Sequence, residues 1–133
     1  MSTRSRLPEL LETFTRQLNL PPVPVRSASD GVILAVGNDV QISLREQPGR
    51  DALFLRAEVA AVPKRRRQSI LKTLLADNLF PENLDAAYGL SPDQTTIILQ
   101  AVAEGPMLEE TGLFPVLSQF EAMVSTKRAT LTE

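Results

Sequence analysis

The side chains able to do chemistry in this 133-residue chain are carboxylates, lysines, arginines and hydroxyls; histidine and cysteine are absent. Without histidine, the commonest general base and the imidazole ligand of transition metals are missing. Without cysteine there is no thiolate metal site and no disulfide, which fits a reducing cytoplasm. Carboxylates pair at Glu109-Glu110 and at Glu9 with Glu12. Both pairs have ordinary helix-surface spacing, with no glycines to shape a cleft and no further ligands, so glycosidase and metal readings are weak. The six glycines are scattered at turns and form no phosphate-cradling motif. A serine or threonine nucleophile would lack its histidine partner. The expectation is a protein that works by surface and not by catalysis, with no cofactor and no metal.

One charged cluster stands out, Lys64-Arg65-Arg66-Arg67. Its ordinary reading is a solvated helix end; its functional reading is a site for phosphate or an acidic surface. It falls at a helix N-terminus, where the helix dipole disfavours cations. The formal net charge of −2 argues against nucleic acid as the main partner. Tyr88 alone gives little support for base stacking.

The elements that hold these residues follow from periodicity. A chain of this length reads as a single domain that buries roughly two-thirds of its unfolded surface. With five Phe, one Tyr and no Trp, its core must be aliphatic. Leu7, Leu10, Leu11, Phe14 and Leu18 recur at helical spacing, which predicts a helix over residues 6–18, ended by Pro21-Pro22. Val32–Val36 is an apolar run between Gly31 and Gly37, and Gly37-Asn38-Asp39 is a hairpin signal. Val40, Ile42 and Leu44, then Leu53, Leu55, Ala57 and Val59, alternate with polar neighbours. Together these segments predict a three-stranded antiparallel meander.

Pro63 opens a second helix, whose stripe is Ile70, Leu71, Leu74, Leu75 and Leu79. Strands over 86–90 and 95–102 flank the turn at Ser91-Pro92-Asp93, and Gly105-Pro106 breaks the sheet. A last helix carries Leu113, Val116, Leu117, Phe120, Met123 and Val124, with Pro115 either in its first turn or kinking it. Residues 1–125 then form the domain, and residues 126–133 read as a polar, frayed tail. The first residues lack the pattern of a signal peptide, and no apolar run approaches a membrane span. The order α-β-β-β-α-β-β-α, with strands in runs, indicates an α+β domain with an antiparallel sheet.

That order resembles the class I type III secretion chaperones, the Tir-chaperone-like family. The residues that carry the resemblance are Leu74-Leu75-Ala76-Asp77-Asn78 at a helix end, Gly89-Leu90 near the next strand, and Ile97-Ile98-Leu99 after the turn. Gly112 and Pro115, which interrupt the last helix, and the density of the Lys64–Arg67 cluster depart from the family pattern. The resemblance implies a cytoplasmic homodimer that binds the N-terminal segment of a secreted effector and keeps it unfolded for virulence-associated secretion, without nucleotide. It implies a dimer interface drawn from Leu71, Leu74, Leu75, Asn78 and Leu79. It also implies an effector surface drawn from Leu10, Phe14, Val32, Leu34, Val40 and Ile42. An adaptor domain binding a folded protein, or a nucleic-acid binder using Lys64–Arg67, are the rival readings.

Overall fold

A computed structural model describes residues 11–13, 15–16, 31–37, 39–46, 51–79 and 85–131. Residues 11–13 and 15–16 are helical (α1). Three strands follow, β1 (Val32–Val36), β2 (Val40–Glu46) and β3 (Ala52–Ala61). Helix α2 (Arg67–Leu79) leads to β4 (Asp85–Leu90) and β5 (Thr96–Glu104). Helices α3 (Gly105–Thr111) and α4 (Leu113–Leu131) close the described chain. The five strands form one antiparallel sheet in the order β1-β2-β3-β5-β4, so β1 and β4 are its edges.

Alternation decides the faces. Val32, Leu34, Val40, Ile42, Leu44, Leu53, Leu55, Ala57, Ile97, Leu99, Ala101 and Ala103 all turn inward and are buried. They share one core with Leu11 of α1, Ile70 and Leu74 of α2, Leu108 of α3, and Leu113, Val116, Leu117, Phe120 and Val124 of α4. The opposite face carries exposed Gln41, Arg45, Arg56, Glu58 and Gln100, the half-wet face expected of an antiparallel sheet. Strand β3 is bulged between Glu58 and Ala60, which keeps its long run in step with β5.

The turns follow local chemistry. Gly31 has φ +70°, and a Cβ there would stand 2.5 Å from the Leu44 carbonyl oxygen, so only glycine enters β1 at this point without displacement. Asp93 organises the β4–β5 turn: the Ser91 and Thr95 hydroxyls and the Thr95 N–H all donate to its Oδ1, at 2.6, 2.7 and 3.2 Å. These donors favour the carboxylate and hold its pKa below the ordinary aspartate range.

Two expectations are corrected, and a third is decided between its alternatives. Gly105-Pro106 does end the sheet, but it also starts α3, because a proline in the first turn loses no intrahelical bond. Of the two alternatives for Pro115 the first holds: it lies in the first turn of α4, and the expected interruption of the helix falls at Gly112 (φ +83°), whose N–H donates to the Leu108 carbonyl. The segment expected to fray after residue 125 is helical to Leu131. Arg128 pins it, donating from Nε to the Val59 carbonyl (2.6 Å), from Nη1 to Asp39 (3.0 Å) and from Nη2 to Glu58 (3.0 Å). The guanidinium thereby satisfies the carbonyls left open at the β3 bulge and the β1–β2 turn.

Candidate functional site

The residues expected to carry chemistry stay apart. Glu109 and Glu110 are exposed on α3, and Glu12 is exposed on α1, where it pairs with Arg16 at 2.6 Å. Glu9 lies outside the described residues. Among the described residues no group of three or more acidic side chains is gathered as a metal site.

The basic cluster divides. Lys64, Arg65 and Arg66 precede α2 in a turn, with Arg66 at φ +64°, so they are not helical as expected from Pro63 onward. Arg67, the first helical residue, donates to the backbone carbonyl and the side-chain oxygen of Gln94, both at 3.3 Å. It therefore ties the start of α2 to the β4–β5 turn. A cleft of about 120 Å³ lies between α2 and α4, lined by Arg66, Ser69, Ile70, Thr73, Leu74, Lys127, Thr130 and Leu131. Most of its polar side chains are engaged: Lys127 pairs with Asp77 at 2.5 Å and lies 5.1 Å from the Tyr88 ring centroid. Thr73 and Thr130 donate to carbonyls of their own helices, on Ser69 and Thr126, and Arg66 donates to the Leu131 carbonyl.

Exposed apolar surface is the second kind of candidate. Among the described residues three large hydrophobic side chains are well exposed: Ile33 (68 %), Leu75 (67 %) and Phe114 (44 %). The stripe of α2 splits around its axis. Ile70 and Leu74 are buried, Leu71 is half-buried, and Leu75 points to solvent. Leu71, Leu75 and Asn78 share one helical face, at spacings of four and three residues. Of the expected interface set, Leu74 thus belongs to the core of the subunit, and the side chain of Leu79 lies outside the described residues.

Asn78 ends that face at the sheet. Its Nδ2 donates to the Tyr88 carbonyl at 3.0 Å, and its Oδ1 accepts from the Tyr88 N–H at 2.6 Å. The exposed face of α2 is therefore held beside edge strand β4.

The expected effector surface is placed differently from its reading. Val32, Leu34, Val40 and Ile42 are buried on the inward face of the sheet, with Val40 and Ile42 fully covered. They belong to the core because α4 packs across β1 and β2. Leu10 and Phe14 lie outside the described residues. What the β1–β2 hairpin offers to solvent is its other face, with Ile33 and Ala35 exposed, and the outer edge of β1. Among the described residues no strand or side chain pairs with that edge. The sequence carries no edge signal here, since the all-apolar run Val32-Ile33-Leu34-Ala35-Val36 lacks the charge or proline that marks many edge strands.

One antiparallel sheet with a single helix-covered core, two unlike edges and exposed leucine and isoleucine beside them makes an interaction domain. The chain belongs to the Tir chaperone protein (CesT) family, whose model matches residues 9–128. No curated protein sequence matches it significantly. Its fold is shared with solved structures of low identity. The Yersinia pestis type III secretion chaperone SycH, in complex with a stable fragment of YscM2, superposes with a TM-score of 0.66 at 19% identity, covering 90% of this chain and 97% of that one. A chain of the ExsC–ExsE complex gives 0.66 at 18%, covering 96% and 92%. A chain of the ExoT–SpcS complex from Pseudomonas aeruginosa gives 0.62 at 19%, covering 96% and 98%. No helix among the described residues is long and apolar enough to cross a membrane.

Proposed function

We propose that this protein is a cytoplasmic, dimeric chaperone that binds the N-terminal segment of a type III secretion effector and keeps it unfolded for export. The observation that carries the reading is β1: an apolar edge strand, unpaired on its outer side among the described residues, with Ile33 68 % exposed, in a chain of the Tir chaperone family. An extended segment can hydrogen-bond to such an edge while its alternate side chains lie against Ile33 and Ala35. The segment orders as it binds, so a long contact must offset its entropy. The related complexes named above support the reading, since SycH was solved with a partner fragment. Leu10 and Phe14 remain candidates for the same surface.

The second half of the proposal is a homodimer through the face of α2 that carries Leu71 and Leu75, beside Asn78. A twofold interface is self-complementary, and an exposed leucine on a helix face suits it. Buried Leu74 supports that face from below.

The test is affinity copurification of the tagged full chain from its native host, with native mass and limited proteolysis of what is recovered. One dominant secreted partner on a dimer, protected over a segment near its N-terminus, is the expected result. A partner that binds only when folded, or nucleic acid, would replace this reading with the adaptor or nucleic-acid one.

A further inference from the structure

The two edges of the sheet are treated differently. Among the described residues no strand or side chain pairs with the outer edge of β1, whereas β4 is met by a side chain from α2. In an antiparallel ladder alternate residues turn both their N–H and their C=O toward the same side. Ser91 donates its N–H to the Thr96 carbonyl, so Ser91 faces β5, and Leu90, Tyr88 and Ala86 face outward from β4 by alternation. Tyr88 is the middle one of these three. Both of its backbone groups are taken by Asn78, whose carboxamide has the donor, the acceptor and the planarity of a peptide unit.

We propose that Asn78 is an edge cap: its amide stands where a sixth strand would pair with Tyr88, closes β4 to backbone addition, and so directs an extended partner to β1. The direction to β1 rests on the chaperone reading above; the closing of β4 does not. The need for a cap is physical. An unprotected edge strand is a template for pairing with any extended chain, and β4 (Asp85-Ala86-Ala87-Tyr88-Gly89-Leu90) carries neither lysine nor proline to deter it. A β4 left open would let two copies merge their sheets, competing with association through the face of Leu75. It would also give an extended partner two equivalent places to bind. Asn78 is thus a positioning residue, acting through the backbone of β4.

The test compares the full-length wild type with Asn78→Ala and Asn78→Asp. Alanine removes both bonds. Aspartate still accepts from the Tyr88 N–H, cannot donate to its carbonyl, and leaves a negative charge at the edge. Amide hydrogen exchange at Tyr88 is expected to rise about tenfold in Asn78→Ala, the scale of one lost hydrogen bond. The Gly89 and Ala87 amides, which face β5, should not change. Unchanged exchange at Tyr88, or equal acceleration throughout β4 and β5, would overturn the proposal, the latter making Asn78 a plain structural pin.

The second readout uses the absence of native cysteine. A spin label at Ala87→Cys or Ala35→Cys reports a synthetic peptide of residues 31–37 on β4 or β1 respectively. The expected result is contact at Ala35 alone in the wild type and in Asn78→Asp, and at both sites in Asn78→Ala. Contact at Ala87 in the wild type, or no gain there in Asn78→Ala, overturns it. Neither readout needs a secreted partner. If copurification finds none, the chaperone reading falls while the result at Tyr88 stands.

Discussion

Leu74 and Leu75 are adjacent in sequence and opposite in circumstance: 5 % of one and 67 % of the other is exposed. A carboxylate at each position separates core from interface. Leu74→Asp places a charge among Ile70 and the inward face of the sheet, costing several kcal/mol, and the chain should fail to fold cooperatively by circular dichroism. Leu75→Glu costs the isolated subunit less than about 0.5 kcal/mol, as exposed changes generally do. In the proposed dimer it should nonetheless raise the dissociation constant at least about tenfold, read by sedimentation velocity, because twofold-related copies would then bring like charges together on that face. A dimer of unchanged affinity would move the interface away from this face of α2. At the β4–β5 turn, the lowered pKa of Asp93 has a definite sign. A group with a depressed folded-state value contributes stability above its unfolded value, and that contribution is lost as pH falls through the folded value. Asp93→Ala should therefore lower the melting temperature slightly at neutral pH, and its difference from wild type should vanish in strong acid.

At the scale of elements, strands and helices differ in how far their sequence specifies them. The meander was legible because the apolar residues of β2 and β3 alternate with polar ones and β1 is a short apolar run between two glycines, expected and found at Val32–Val36. The class of fold followed from the order of elements, since runs of strands between helices leave few topologies. Three features were not legible, each for a reason of physics. Helix α3 begins at Gly-Pro, two residues that break one element and can open another. The tail beyond residue 125 is polar along its own length, and its anchor is Arg128, which reaches carbonyls about 70 or more residues earlier in the chain. The stripe of α2 is wide enough for two faces, and only the position of the sheet shows which leucine is covered. The role of Arg128 is testable at this scale. Arg128→Met should lower stability by about 2 kcal/mol in thermal unfolding, the range for a hydrogen-bonded charged group. Arg128→Lys should not restore it, because one ammonium cannot span three carbonyls.

For the molecule as a whole, the question is whether binding runs through apolar strand addition at β1 or through the cations before α2. The chain has a formal net charge of −2, yet Lys64 and Arg65 lie together in one exposed turn, with no ion pair among the described residues. Arg67 is committed to Gln94 and Arg66 to the Leu131 carbonyl, so the testable cations are the first two. A nucleic-acid complex releases counterions, and its affinity falls steeply, by about three to five decades between 50 and 200 mM salt for six to ten phosphate contacts. Strand addition depends on backbone hydrogen bonds and apolar contact, which salt barely screens. The expected outcome is a partner affinity that changes less than about threefold over that salt range and is unmoved by Lys64→Ser with Arg65→Ser. Ile33→Lys should weaken the same complex at least about tenfold, because it removes an exposed apolar contact and places on the edge the charge that natural edge strands use to prevent pairing. Titration calorimetry of wild type and the two variants at both salt concentrations decides the matter. A steep salt slope that disappears with Lys64 and Arg65, together with indifference to Ile33→Lys, would transfer the binding surface from the sheet edge to the turn before α2.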